Sequence, residues 1–315
     1  MTQHPPEPDS RQPHLQRPPR RVTVAATQFA CGWDRQQNID HAEALVRRAA
    51  RDGAQVILLQ ELFETPYFCI EQDSRHLRLA TTLADNPAVA RMREVARELA
   101  VVLPVSFFER AGNAYFNSIA IVDADGSVQG IYRKAHIPNG AGYQEKTYFS
   151  PGDTGFRVWN TRYGRLGVGI CWDQWFPECA RVMALMGAEM LLYPTAIGSE
   201  PPPALPVNSR DHWRRTQQGH AAANLMPLVA SNRHGVERSL QDPQNLHLRF
   251  YGSSFIADAT GALVADAPEE GDAVLLAEFD LAQIAELRDN WFVFRDRRPD
   301  LYGSLLTLDG ITARP

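Results

Sequence analysis

Cys171 is the residue of this 315-residue chain best placed for covalent chemistry. It follows Arg165-Leu-Gly-Val-Gly-Ile170, which reads as a short strand. It precedes Pro177-Glu-Cys-Ala-Arg-Val-Met-Ala-Leu185, which reads as a helix with proline in its first turn. A thiol between a strand end and a helix start is expected to be exposed beside backbone N–H groups, which favour a thiolate and a developing oxyanion. The competing reading is a small buried hydrophobe, the commoner fate of a free cysteine. A nucleophilic thiol also needs a base and an oxyanion stabiliser. Glu61 follows the apolar run Ala-Gln-Val-Ile-Leu-Leu-Gln60 at a C-terminal strand end, where α/β proteins place their sites. Lys134 ends another strand, in Tyr132-Arg-Lys-Ala-His-Ile-Pro138. Each alone is an ordinary charge; three complementary groups at three strand ends form a constellation. A Cys–His dyad is the rival, with His136, His212, His220 and His234 available. None of these has a zinc-ligand spacing with the cysteines, so no metal site is expected.

The elements that must hold these residues alternate along the chain. Residues 21–29 have the period-2 pattern of a strand, and residues 36–52 place Ile39, Ala42, Leu45, Val46 and Ala49 on one helical face. The run at 54–60 predicts a strand buried on both faces. A helix at about 87–100 follows, then strands at 101–108, 115–122 and 128–132, the last two joined by the hairpin signal Asp123-Ala-Asp-Gly126. Further on come a helix at 211–224, strands at 227–231, 251–257 and 273–279, and a short helix at 281–289. Arg51-Asp-Gly-Ala-Gln-Val-Ile-Leu-Leu59 matches Leu185-Met-Gly-Ala-Glu-Met-Leu-Leu-Tyr193 position by position in chemistry, which predicts a pseudo-repeated helix–strand unit. No linker interrupts the stretch, so one domain over residues 21–310 is expected.

Composition limits the alternatives. The chain is 44% hydrophobic, with 32 basic and 37 acidic side chains and a formal charge of −5. That balance lacks the basic surface of a nucleic-acid binder. No apolar run approaches the roughly 20 residues of a membrane helix. Four cysteines without a C-x-x-C pair do not make a secreted disulfide scaffold, so a reducing, cytoplasmic setting is expected. Cys31, Cys69 and Cys179 read as bystanders. Residues 1–20 hold six prolines and no apolar segment of the secretory type, and are expected to be a disordered tail.

LLQELF around Glu61, YRKAHIP around Lys134 and GICWDQWFPE around Cys171 resemble, in order and spacing, the three motifs of the carbon–nitrogen hydrolase family, the nitrilase superfamily. The resemblance covers about residues 21–310. It implies an α/β fold, a four-layer α-β-β-α sandwich of the nitrilase type, and a Glu61–Lys134–Cys171 triad. The segments at 142–156, 193–201, 208–215, 228–233, 250–258 and 293–302 are similar to the family members that convert N-carbamoylputrescine and water to putrescine, carbon dioxide and ammonia, a step of polyamine biosynthesis. On that resemblance Glu145 is the second glutamate beside the triad, and Glu200 meets the distal ammonium of a carbamoylated diamine. Asn139 and Ala141 depart from it, standing where such sequences read Asp and Pro.

The implied chemistry is covalent and needs no cofactor. Glu61 takes the Cys171 proton, the sulfur attacks the ureido carbon, and Lys134 with the Trp172 backbone N–H holds the oxyanion. Tyr143 and Trp172 are candidates for the apolar stem of the substrate pocket, with core packing as an equal alternative. An N-carbamoyl acid would instead need a distal Arg or Lys, so the sign of charge at position 200 discriminates between the two substrate classes. A catalytically silent protein of the same fold is the other alternative. A homo-oligomer is expected, and the apolar, arginine-rich segment at 290–308 either reaches a neighbouring subunit or packs on its own core.

Overall fold

A computed structural model describes residues 18–199 and 209–311. Glu200 and residues 1–17 of the expected tail lie outside the described residues. The described residues divide into two compact units, one within residues 22–279 and a smaller one formed by residues 18–21 with 280–311.

The larger unit is built from parallel strand–helix–strand crossovers. Strand β1 (Arg21–Gln28) leads through helix α1 (Arg35–Arg51) to β2 (Val56–Leu58), with Val24 beside Val56 in parallel register. Helix α2 (Pro87–Leu99) precedes an antiparallel meander of β3 (Leu103–Ala111), β4 (Ala114–Val122) and β5 (Val128–Arg133). A parallel bridge between Val56 and Val102 sets this meander beside β2. The next segment comprises β6 (Val158–Thr161), β7 (Gly164–Val168), α3 (Pro177–Leu185), β8 (Met190–Pro194), α4 (Ser209–Asn224) and β9 (Leu228–Ser231). The hairpin β10 (His234–Arg238)/β11 (His247–Tyr251) follows, then β12 (Phe255–Ala257), β13 (Leu263–Asp266) and β14 (Ala273–Asp280). The second sheet runs β13-β12-β9-β8-β7-β6, and β14 borders β1 in the first.

Helices α1 and α2 pack on the first sheet, α3 and α4 on the second, and β2 meets β9 between them. The layers are therefore α-β-β-α, as expected. Helix α1 shows why: it buries Ile39, Ala42, Leu45, Val46 and Ala49, the face predicted from the sequence. Each large aliphatic side chain there contributes about 1.5–3 kcal/mol on leaving water. Asp34 caps its N-terminus by accepting from Gln37 N at 3.1 Å.

The pseudo-repeat is also present. Gly53 and Gly187 both turn the chain from helix to strand with φ of 97° and 92°. The next residue in each case closes the same bond, Ala54 N to Ala49 O at 2.9 Å and Ala188 N to Met183 O at 3.0 Å. One predicted element differs, and one element was not predicted. The strand expected over 251–257 is split, because Gly252 and Ser253 adopt φ of 53° and 52° and carry the chain out of the β10/β11 hairpin into the large sheet. Cys171–Trp175 forms a 3-10 turn of its own before α3.

In the smaller unit, Asp280 caps helix α5 (Leu281–Trp291) by accepting from Ala282 N at 3.0 Å. Downstream, Leu301, Leu305, Leu306 and Leu308 are exposed.

Candidate active site

Strand ends deliver each chemistry-bearing residue. Glu61 lies three residues beyond β2, Lys134 directly follows β5, and Cys171 lies three residues beyond β7. The Lys134 backbone is fixed from both sides, its N–H donating to Asn117 O at 2.9 Å and its carbonyl accepting from Gly152 N at 2.8 Å.

The Lys134 ammonium sits between two carboxylates. Its Nζ lies 2.9 Å from Glu61 Oε1, and 2.9 and 2.7 Å from Glu145 Oε1 and Oε2. All three side chains are fully buried. Tyr67 donates its hydroxyl to Glu145 Oε1 at 2.6 Å, and Asn117 Nδ2 donates to Glu61 Oε1 at 2.7 Å. Glu61 Oε2 has no hydrogen-bond partner among the described residues.

Two acids around one base leave an excess negative charge away from water, and the site titrates accordingly. Burial pushes the Glu145 carboxyl up to about 7, against the pull of Lys134 and with the help of Glu61. Burial alone would lower the Lys134 pKa, but the Glu145 and Glu61 carboxylates outweigh it and hold the ammonium charged. Lys134 is thus a fixed cation.

Cys171 is 6% exposed and has a φ of 41°, a strained left-handed conformation for a residue with a side chain. Asp173 pins this turn: its Oδ2 accepts from Ile170 N at 2.9 Å and Tyr132 OH at 2.7 Å. Its Oδ1 accepts from His136 N at 3.0 Å and contacts His136 Nδ1 at 2.7 Å. The environment differs from the exposed, thiolate-favouring one expected from the sequence. Burial and then the Glu61 carboxylate raise the thiol pKa well above its ordinary value, while Lys134 only partly opposes them. The resting sulfur is a thiol, so it requires a base at the moment of attack. The histidine alternative finds less support, since His136 is held by Asp173 and stacks on Phe176 with ring centroids 3.6 Å apart. His220 faces Gln174 O at 2.7 Å.

The remaining candidates fall into place unevenly. Glu145 is no surface charge but part of the buried cluster. The Tyr143 ring lies 5.8 Å from that of Tyr67, and its hydroxyl donates to Gly198 O at 3.0 Å while accepting from Gly198 N at 2.9 Å. It therefore braces the chain just before position 200. Trp172 is 39% exposed, with its ring 6.1 Å from that of Trp175. Among the described residues Glu71, Asp73 and His76 offer donor atoms within 4.8 Å of one another. Glu71 is already engaged by His76, Ser239 and Gln241, and Asp73 by Arg75, so the trio reads as a structural network.

A profile of the carbon–nitrogen hydrolase family matches residues 23–289. The chain belongs to this family. Within it, the chain is 59% identical over 291 residues to N-carbamoylputrescine amidase of Solanum tuberosum, covering 92% of this chain and 97% of that protein. It is 52% identical to citrullinase of Francisella tularensis subsp. tularensis, over 90% of this chain and 98% of that protein. A solved carbon–nitrogen hydrolase of Helicobacter pylori superimposes with a TM-score of 0.86 at 38% identity, covering 91% of this chain and 99% of that one. The four-layer sandwich is the fold of the nitrilase superfamily, and the chain is a hydrolase of carbon–nitrogen bonds.

Sequence reasoning on this carbon–nitrogen hydrolase overlooked several buried polar residues. Asn117 is an amide on β4, beside Ser118 in a mostly apolar strand, and it donates to Glu61. Arg233 is fully buried, donating to Glu61 O at 2.7 Å, Leu62 O at 3.0 Å, Thr65 O at 3.2 Å and Glu237 Oε1 at 2.9 Å. It holds the turn that presents Glu61, where Leu62 has a φ of 45°. Arg233 follows β9, so the strand-end rule that located Glu61 and Cys171 would have located it too. Asp173 and Tyr67 gave no comparable signal, because Tyr132, His136 and Glu145 reach them from 37 to 78 residues away.

Proposed function

We propose that this hydrolase converts N-carbamoylputrescine and water to putrescine, carbon dioxide and ammonia, a step of polyamine biosynthesis. The observation carrying the reading is the 56–59% identity, over 92% of the chain, to four plant proteins bearing that activity in their names. The buried Glu61–Lys134–Glu145 cluster beside Cys171 supports the chemistry. Glu61 Oε2 accepts the thiol proton as the sulfur attacks the ureido carbon. The Lys134 ammonium and the Trp172 N–H hold the tetrahedral oxygen. Glu145, with both oxygens on Lys134 Nζ, orients that cation. The C–NH₂ bond then breaks, Glu61 returns its proton to the leaving nitrogen as ammonia departs, and a carbamoyl thioester remains. Water, deprotonated by Glu61, attacks the thioester and regenerates the thiol. The released carbamate loses carbon dioxide to give the amine.

Selectivity for a diamine rests on a carboxylate at the far end of the pocket, for which Glu200 is the candidate. A substrate lacking the cation would leave that acid unpaired. Identity to a citrullinase supports a second reading, since citrulline carries the same ureido group on a short alkyl stem but ends in an amino acid. Ammonia release from N-carbamoylputrescine, N-carbamoylcadaverine, citrulline and N-carbamoyl-β-alanine separates the readings. Preferential turnover of the diamine derivatives, lost in Glu200→Gln, supports the first; turnover of citrulline alone overturns it. Four free cysteines fit a reducing cytoplasm, and the exposed leucines at 301–308 fit burial in a homo-oligomer.

A further inference from the structure

We infer that Asn117 is a positioning residue that confines the shuttled proton to one oxygen of Glu61. This rests on the reading of Glu61 as the proton carrier. A carboxylate accepts hydrogen bonds and cannot donate them, so the Asn117 amide must turn Nδ2 toward Glu61, 2.7 Å from Oε1. Lys134 Nζ reaches the same oxygen at 2.9 Å. Both are donors only at those contacts, so Oε1 must remain an acceptor whether Glu61 is ionised or protonated. A proton placed on Oε1 would face two donors and break at least one contact. Oε2, buried and without a partner among the described residues, is left as the seat of the transferred proton.

Lys134 alone would not achieve this. It is shared with Glu145, whose two oxygens take its other contacts, so it gives Glu61 Oε1 a single hydrogen bond. Asn117 sits inside β4, held between β3 and β5, and its carbonyl accepts from Lys134 N at 2.9 Å. The same residue therefore sets both the Lys134 backbone and the Glu61 carboxylate. Its Oδ1 is buried with no partner among the described residues, an arrangement that packing alone does not favour and that orienting Glu61 accounts for.

The test reads protonation directly. Rates of Cys171 alkylation by iodoacetamide, mapped by mass spectrometry, and kcat/KM for N-carbamoylputrescine are measured from pH 5 to 9. The variants are Asn117→Leu, Asn117→Asp and Glu61→Gln. Glu61 is also faced by Lys134, Cys171 and Glu145, with Tyr67, Cys69 and Arg233 nearby, and all of these are kept. Loss of one hydrogen bond to an ionised group predicts a roughly ten- to hundredfold fall in kcat/KM for Asn117→Leu, carried by kcat. The acid limb of both profiles should move up by about one pH unit. Asn117→Asp, close in shape, should move it further, and serves alone if the leucine variant does not fold. An unmoved acid limb in a folded variant, even with a lower melting temperature, overturns the positioning role. Wild-type profiles in Glu61→Gln would instead overturn the proton-carrier reading beneath it.

Discussion

Replacing Lys134 by methionine removes the cation that bridges Glu61 and Glu145 while leaving both carboxyls fully buried. Three hydrogen bonds of 2.7–2.9 Å disappear at once. Truncating one side of a buried ion pair costs about 3–5 kcal/mol, because the surviving charge has no water to turn to. The loss should also depend on pH in a defined direction. The folded pKa of Glu145 is already raised to about 7, so the intact protein gains stability from that carboxyl below the unfolded value and loses it as pH rises through 7. Lys134 opposes that rise, so without it the folded pKa climbs further and the loss continues above pH 7. One extra bound proton is worth about 1.4 kcal/mol per pH unit. Between pH 7 and 8 the deficit of Lys134→Met relative to the parent should therefore grow by about 1 kcal/mol. Urea unfolding at pH 6, 7 and 8 measures it, and Lys134→Met/Glu145→Gln should regain part of the loss. A deficit below about 1 kcal/mol, or one that is constant over that range, would refute the assignment of a buried, charge-compensating lysine.

Other expectations follow from the same geometry. Cys171→Ala should abolish hydrolysis by at least about a thousandfold while shifting the melting temperature by less than about 3 °C, since one sulfur leaves a turn held by Asp173. A larger shift in calorimetry would mean that the thiol is structural. Asp173→Asn keeps one acceptor oxygen where two are used, so chemical denaturation should register a loss of about 2–3 kcal/mol. Arg233→Met should cost about 3–5 kcal/mol in the same assay and lower kcat by loosening the turn at Glu61; unaltered kcat in the folded variant would show that turn to be self-supporting. Burial lowers the His220 pKa, so the unfolded chain takes up a proton below about 6.5 that the folded one refuses. The intact protein should lose stability relative to His220→Asn as pH falls from 7 to 5, and parallel curves would contradict this.

Periodicity located α1 and its buried face, the Gly-Ala repeat located the paired crossovers, and three short motifs located Glu61, Lys134 and Cys171. These features are local: a helical stripe, a turn glycine with φ near 90°, and a residue beyond a strand end depend on neighbours in the chain. The split at Gly252–Ser253 and the 3-10 turn at Cys171 were not legible, because each depends on packing that forces a left-handed residue.

By itself, the sequence revealed the main helices and strands, the family and the candidate residues for the chemistry. Tertiary structure decided their state. Lys134 stays a cation in its buried place because Glu61, 73 residues away beyond β2, and Glu145, from a turn 11 residues downstream, converge on it. Cys171 is held more firmly as a thiol than a free cysteine because the sandwich buries it near Glu61. Asn117 and Arg233 gained their places at Glu61 the same way, across separations of 56 and 172 residues. Burial and charge proximity are properties of convergence in space, and pKa values and proton routes follow from them.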